Sequence, residues 1–183
     1  TGTCPASSTF ETTMLGWELL SEKTAVTNAE LKQAIHTYGP VYTSMYAGEQ
    51  AGAGDPWRDA LQTYDGSTVL QYTGTPITTD HAVLVVGWDD TMAGGAWIIK
   101  NSWGADWGDN GFFYLGYGAD DGYGAAGVGS WVAYMTDWQT YDAQGELWFY
   151  DEAGWTGHGG YGGDVAWGAN VFTATATTNV TRV

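Results

Sequence analysis

Two almost unbroken apolar runs, Ala82–Trp88 and Ala96–Ile99, are joined by the short acidic, glycine-rich stretch DDTMAGG, and they limit the fold more than any other feature. Apolar runs this short and this continuous read as strands covered on both faces. Asp and Gly in the joint tolerate the tight backbone of a turn, so the two runs are expected to pair as an antiparallel hairpin. Asp80 and His81 open the first run and Asn101 closes the second. Pairing of the runs would make their outer ends meet, placing His81 beside Asn101. An imidazole held by a neutral amide can act as a general base, because the amide oxygen fixes the ring's orientation and tautomer. Trp103, two residues further on, is placed to shield such a hydrogen bond from water. Taken alone, a histidine at a strand end is more often structural than catalytic.

The rest of the first part of the chain alternates between one helix and short strands. Thr27 and Glu30 have the spacing of a capping box, and Leu31, Ala34, Ile35 and Tyr38 form an apolar stripe, so a helix is predicted from Thr27 to Tyr38. Gly39 and Pro40 stop it. Strands are predicted over Val41–Ala47, Gly111–Leu115 and Trp131–Met135. The polar, glycine-rich segment Gly48–Thr68 reads as a long surface excursion. Near Thr136 the composition shifts to Gly, Trp, Tyr and Asp, which places a boundary between residues 1–136 and a small β-rich extension, 137–183. That extension is thin for a core of its own and reads as incomplete. No internal period of roughly 20–50 residues recurs, which argues against a repeat protein.

Bulk properties narrow the function. The net charge is -16, from 21 acidic residues against 5 Lys and Arg, so the surface suits neither phosphate contacts nor a nucleic-acid partner. No apolar run approaches the roughly 20 residues of a membrane span. The opening TGTCPASSTF has neither the pattern of a signal peptide nor an initiator Met, which suggests a processed product or a piece of something longer. Abundant Trp, Tyr and Gly point to short strands, tight turns and an extracellular or cell-surface setting. Cys4 is the only cysteine, so no disulfide can close within the chain. No cofactor or metal is expected, and two isolated ligands, His158 and Asp164, are weak evidence for a metal site.

The segments NAELKQAIHTYGPVYTSMYA, TDHAVLVVGWD and GGAWIIKNSWGADWGDNGFFYLGYG resemble, in order and spacing, the C-terminal half of papain-family cysteine peptidases. The resemblance runs from about Gly2 to Gly118, and KNSWG-x-x-WG-x-x-G is a highly specific motif. It implies an α+β, mostly β fold, the antiparallel, barrel-like second lobe of that family with one clear helix. His81 then matches the catalytic histidine and Asn101 the asparagine that orients it. Trp103 matches the tryptophan that covers the pair, and Trp107 the motif's second tryptophan. Ser44, Thr79 and Ala82 match a pocket for the second residue before the scissile bond, which small side chains would leave roomy. Asp80 is either a tuner of the imidazolium charge or a solvated turn carboxylate, and His36 is expected on the surface.

The same comparison shows what is missing. The family's Q-x-x-x-x-x-C-W segment, which carries the thiolate nucleophile and the oxyanion-hole glutamine, has no counterpart here. Cys4, in GTCP, matches a structural cysteine that in the family bonds to the first lobe; it is read as an orphaned disulfide partner or an inert thiol, not as the nucleophile. The chain is therefore expected to start just after the first lobe and to be inactive alone, with a missing N-terminal lobe or a second chain supplying the cysteine that acts on a peptide or protein substrate. Residues 137–183 resemble the start of a lectin-like domain found after the peptidase unit in some archaeal and bacterial homologues. In that stretch Trp148, Tyr150, Trp155, Tyr161 and Trp167 could stack on sugars, and Asp151, Glu152 and Asp164 could take hydroxyls or calcium. Asn179 opens a glycosylation sequon. Three readings follow: one lobe of a secreted peptidase, a non-catalytic surface or self-assembling protein built on that lobe, and a carbohydrate-binding module.

Overall fold

A computed structural model describes residues 12–49, 51–74, 78–120, 122 and 124–141. Among these are strands β1 (Thr12–Leu19), β2 (Val41–Met45), β3 (His81–Asp89), β4 (Ala96–Lys100), β5 (Phe112–Gly116) and β6 (Ser130–Thr140), with helices α1 (Asn28–Tyr38) and α2 (Pro56–Gln62). The strands form one sheet in the order β1-β6-β2-β3-β4-β5, with every neighbouring pair antiparallel. The sheet is open, with β1 and β5 at its two ends. The fold is α+β and mostly β.

Helix α1 forms as its caps dictate. The Thr27 side chain accepts from the Glu30 amide at 3.2 Å while the Thr27 amide donates to the Glu30 carboxylate at 2.9 Å, so each end of the box satisfies the other. Gly39 ends the helix at φ 84, a conformation that costs a residue with a Cβ, and its amide closes on the Ile35 carbonyl at 2.9 Å. Leu31, Ala34 and Ile35 belong to one buried core with Val83, Val85, Ile99, Phe113, Leu115 and Val132 of the sheet. Tyr38 stays at the rim, stacked 3.8 Å from Tyr134.

The predicted hairpin is β3–β4, with Leu84 opposite Lys100, Val85 opposite Ile99, and Trp88 opposite Trp97. Its register shifts between Val85 and Gly87, a β-bulge that bends the strand. The Asp89 carboxylate accepts from the Thr91 amide and hydroxyl, both at 2.7 Å, and this closes the turn.

The surface excursion expected over 48–68 is corrected, because it contains α2. Asp55 caps it by accepting from the Arg58 amide at 2.9 Å, Pro56 fills the first turn, and Leu61 is fully buried. The surrounding glycines hid a helix of under two turns. Strand β1 was not foreseen, and β6 runs past Met135 to Thr140 because β1 gives it a partner there. Where β6 meets β2 the ladder is irregular between Tyr42 and Ser44. The Thr43 hydroxyl bridges the break, donating to the Ser130 carbonyl and accepting from the Gly129 amide, both at 2.9 Å.

Candidate active site

His81 starts β3 opposite Met45, the last residue of β2. Asp80, just before it, clamps the chain leaving β2: its amide donates to the Met45 carbonyl at 3.0 Å and its carboxylate accepts from the Ala47 amide at 2.6 Å. Asn101 follows the end of β4. Its amide donates to the Gly111 carbonyl at 2.9 Å, so the turn from Trp107 to Gly111 holds it in place.

The side chain of Asn101 is 5% exposed, and its Oδ1 accepts from the Ser102 amide at 2.8 Å. That bond decides which way the amide points, since an NH₂ group there would face another donor. The same Oδ1 lies 2.9 Å from His81 Nε2. Nε2 must therefore carry the hydrogen and donate, leaving Nδ1 as the ring position that can accept or release a proton. The Trp103 ring lies 5.2 Å from the imidazole, tilted by 43°. Trp107 packs 5.0 Å from Trp103, edge to face. Its indole N–H donates to the Leu61 carbonyl at 3.1 Å, so the unforeseen helix α2 anchors the motif's second tryptophan.

Ser44, Thr79 and Ala82 line an open depression of about 470 Å³ together with Tyr42, Asp80, His81 and Trp131. Ala82 stands opposite Ser44 in the β2–β3 ladder, which explains how residues far apart in sequence share one wall. Tyr42 and Trp131 were not singled out from the sequence. Tyr42 lies two residues before Ser44 on the same strand face, and that alternation was the available signal. A larger hollow of about 770 Å³ lies along α2 between Tyr46, Trp57 and Tyr72; Asp55 on its wall is already engaged as the helix cap. Among the described residues no three His, Cys, Asp or Glu side chains gather to hold a metal ion. His36 is exposed in the last turn of α1. Cys4, Trp148, Tyr150, Asp151, Glu152, Trp155, His158, Tyr161, Asp164, Trp167 and Asn179 lie outside the described residues.

The motif glycine Gly111 carries a direct test of how Asn101 is seated. It sits at φ +83, and a Cβ there would come within 2.8 Å of the Gly104 carbonyl oxygen. Gly111→Ala is expected to destabilise the fold by about 1–3 kcal/mol and to shift the Asn101 amide resonance. Guanidinium unfolding and an amide NMR spectrum check it; an unchanged midpoint and spectrum would show that Asn101 is held by other means.

A histidine and an asparagine side chain are thus joined at two strand ends, with a tryptophan ring against the imidazole. The family described as papain family cysteine protease matches residues 2–136, and the chain belongs to that family. Among relatives, a cysteine protease of Blomia tropicalis is 32% identical over 108 residues, covering 58% of this chain and 28% of that protein. Digestive cysteine proteinase 2 of Homarus americanus is 29% identical over 101 residues, covering 55% and 28%. The chain thus spans between 12% and 28% of the length of these and similar curated relatives. Among solved structures, procathepsin L2 of Tenebrio molitor larval midgut is 27% identical, with a TM-score of 0.50 over 67% of this chain and 34% of that one. Bromelain of Ananas comosus, 22% identical with a TM-score of 0.51, covers 67% of this chain and 50% of that one, and the likeness is one of fold.

Proposed function

We propose that this chain is the histidine–asparagine lobe of a papain-like cysteine endopeptidase, completed by a segment or second chain that carries the cysteine. The observation that carries the reading is the 2.9 Å bond from His81 Nε2 to Asn101 Oδ1, which leaves Nδ1 as the working nitrogen. In this reading the cysteine thiolate attacks the peptide carbonyl carbon, and His81 Nδ1–H gives its proton to the departing amine as the C–N bond breaks. Water then attacks the resulting thioester while His81 takes its proton, and the thiolate leaves. Asn101 keeps the ring aligned through both steps, and Trp103 shields the bond. Ser44, Thr79 and Ala82 border the substrate's second residue before the scissile bond.

Docking of the absent lobe is supported by an apolar band on the sheet face opposite α1. Trp17 pairs with Met135, Leu19 and Tyr42 both pair with Ala133, and Tyr42 pairs with Leu84. Trp17 is 60% and Met135 48% exposed, and large apolar side chains grouped on one exposed face mark a contact surface. The same band supports self-association as the second reading. Secretion or cell-surface display accords with the acidic, aromatic-rich composition; among the described residues no helix is long and apolar enough to cross a membrane. The lectin-like reading of 137–183, with sugar contacts at Trp148, Trp155, Tyr161 and Trp167, rests on the sequence alone.

The chain alone is expected to show no E-64-sensitive turnover of a fluorogenic peptide, whereas a single-chain fusion to a cysteine-bearing papain-type first lobe gains it. Turnover by the chain alone would overturn the half-site reading. A folded fusion that is alkylated by E-64 yet never turns over would overturn the endopeptidase reading, and a stable homo-oligomer burying the band would favour assembly.

A further inference from the structure

We infer that Trp131 is a specificity-determining residue, which a strained backbone delivers to the depression beside His81, where it limits the size of the side chain that can lie there. The substrate meaning of this placement rests on the peptidase reading above; the placement itself does not. Trp131 lines that depression together with Ser44, Thr79, His81 and Ala82.

The backbone at Trp131 carries the inference. Tyr42 faces Ala133 and Ser44 faces Ser130, so Thr43 alone stands against both Trp131 and Val132 of β6. That is a β-bulge, and its first residue, Trp131, sits at φ 51. A bulge whose first residue is left-handed ordinarily has glycine there. Among the described residues Ala93, Asn110, Ala126 and Asp137 also have positive φ, but Trp131 is the bulky one, and for such a side chain the conformation is strained. Strain of this kind persists only where the surroundings impose it, and it gathers where ligands are held. Here the Trp131 amide donates to the Glu22 carbonyl at 2.5 Å, and the Ser130 hydroxyl donates to the Gly127 carbonyl at 2.6 Å.

Core packing does not account for the tryptophan. Val132 is fully buried in the core, whereas Ser130 sides with Ser44, their hydroxyls 3.2 Å apart. Trp131 is the residue inserted between these two, and it stands outside that core. Bulges beside active sites re-aim a side chain, and at this one the side chain is an indole on the wall that His81 shares. Ser44, Thr79 and Ala82 are small and leave room. At a position where glycine would suit the backbone better, the indole takes up part of that room. A short apolar side chain such as valine therefore fits as the substrate's second residue before the scissile bond, while a phenylalanine ring is held off by the indole.

Two measurements test this. In the full 183-residue chain, Trp131→Gly and Trp131→Asn introduce residues that tolerate a left-handed backbone, and the guanidinium unfolding midpoint is expected to stay the same or rise. A midpoint lowered in both variants would make Trp131 a structural residue and overturn the inference. In the two-lobe fusion, the same substitutions are expected to raise the ratio of kcat/KM for a Phe peptide to that for a Val peptide, varied only at that second residue, by roughly 10-fold or more, the scale on which apolar pockets discriminate by size. A ratio that is unchanged or lower overturns it. The same ratio can be read from the rates at which peptidyl epoxides bearing Phe or Val alkylate the cysteine, which needs no hydrolysis. A fusion that is alkylated with the shifted ratio but never turns over would sink the endopeptidase reading and leave the role of Trp131 standing. Turnover with a ratio indifferent to Trp131 would do the reverse.

Discussion

Replacing His81 with alanine in the two-lobe fusion is expected to lower kcat/KM for a peptide by roughly 10²–10⁴-fold, the range that a positioned proton-transfer group contributes. Most of the loss should fall on kcat, because the ring borders the bound peptide only where bonds change. Asn101→Ala should lose less, since the amide acts only through the ring it orients. The double variant is the sharper measurement. If Asn101 works through the 2.9 Å bond to Nε2, removing both side chains should cost no more than removing His81 alone. Additive losses would mean that Asn101 contacts the reaction by another route. A loss below tenfold in His81→Ala would remove the histidine from the chemistry altogether.

What made this pair legible was the apolar hairpin between its members. Two short apolar strands have few ways to pair, and pairing them at all brings Asp80, His81 and Asn101 to one end of the sheet. The resemblance then supplied roles that spacing alone left open. Helix α1 was legible because Thr27 and Glu30 announce its start and Gly39 its end. Helix α2 was not: Asp55-Pro56 carries the cap signal, but glycines at 52, 54 and 66 surround it and only Leu61 is fully buried. Strand β1 exists because β6 pairs with it from more than a hundred residues away, and no local pattern in TTMLGWEL reports such a partner. Glu49 is the clearest case of information absent from local sequence. Its carboxylate lies 4.0 Å from the imidazole, in a loop whose Ala47 amide is tied to the Asp80 carboxylate.

Trp97 and Trp17 are the same residue type in the same sheet, and their replacement by alanine should give opposite results. Trp97, on β4, is 1% exposed; it lies between Trp88 and Leu115 of the flanking strands, with the Tyr117 ring 4.8 Å away. Trp97→Ala leaves a cavity that packed strands cannot close, and a loss of about 3–5 kcal/mol is expected. Against the roughly 5–15 kcal/mol that holds a domain folded, this brings the variant near the edge of folding. Trp17, on β1, is 60% exposed, and Trp17→Ala should change stability by no more than about 0.5 kcal/mol. Its effect should appear instead in docking, because it sits in the apolar band proposed to receive the cysteine-bearing lobe. Guanidinium unfolding of both variants separates core from surface. Binding of a separately expressed first lobe, weakened by Trp17→Ala in a chain whose unfolding midpoint is unchanged, would tie the exposed band to completion of the site. If Trp17→Ala left that binding intact, the lobe would have to dock elsewhere, and the band would be better explained by contact between copies of this chain.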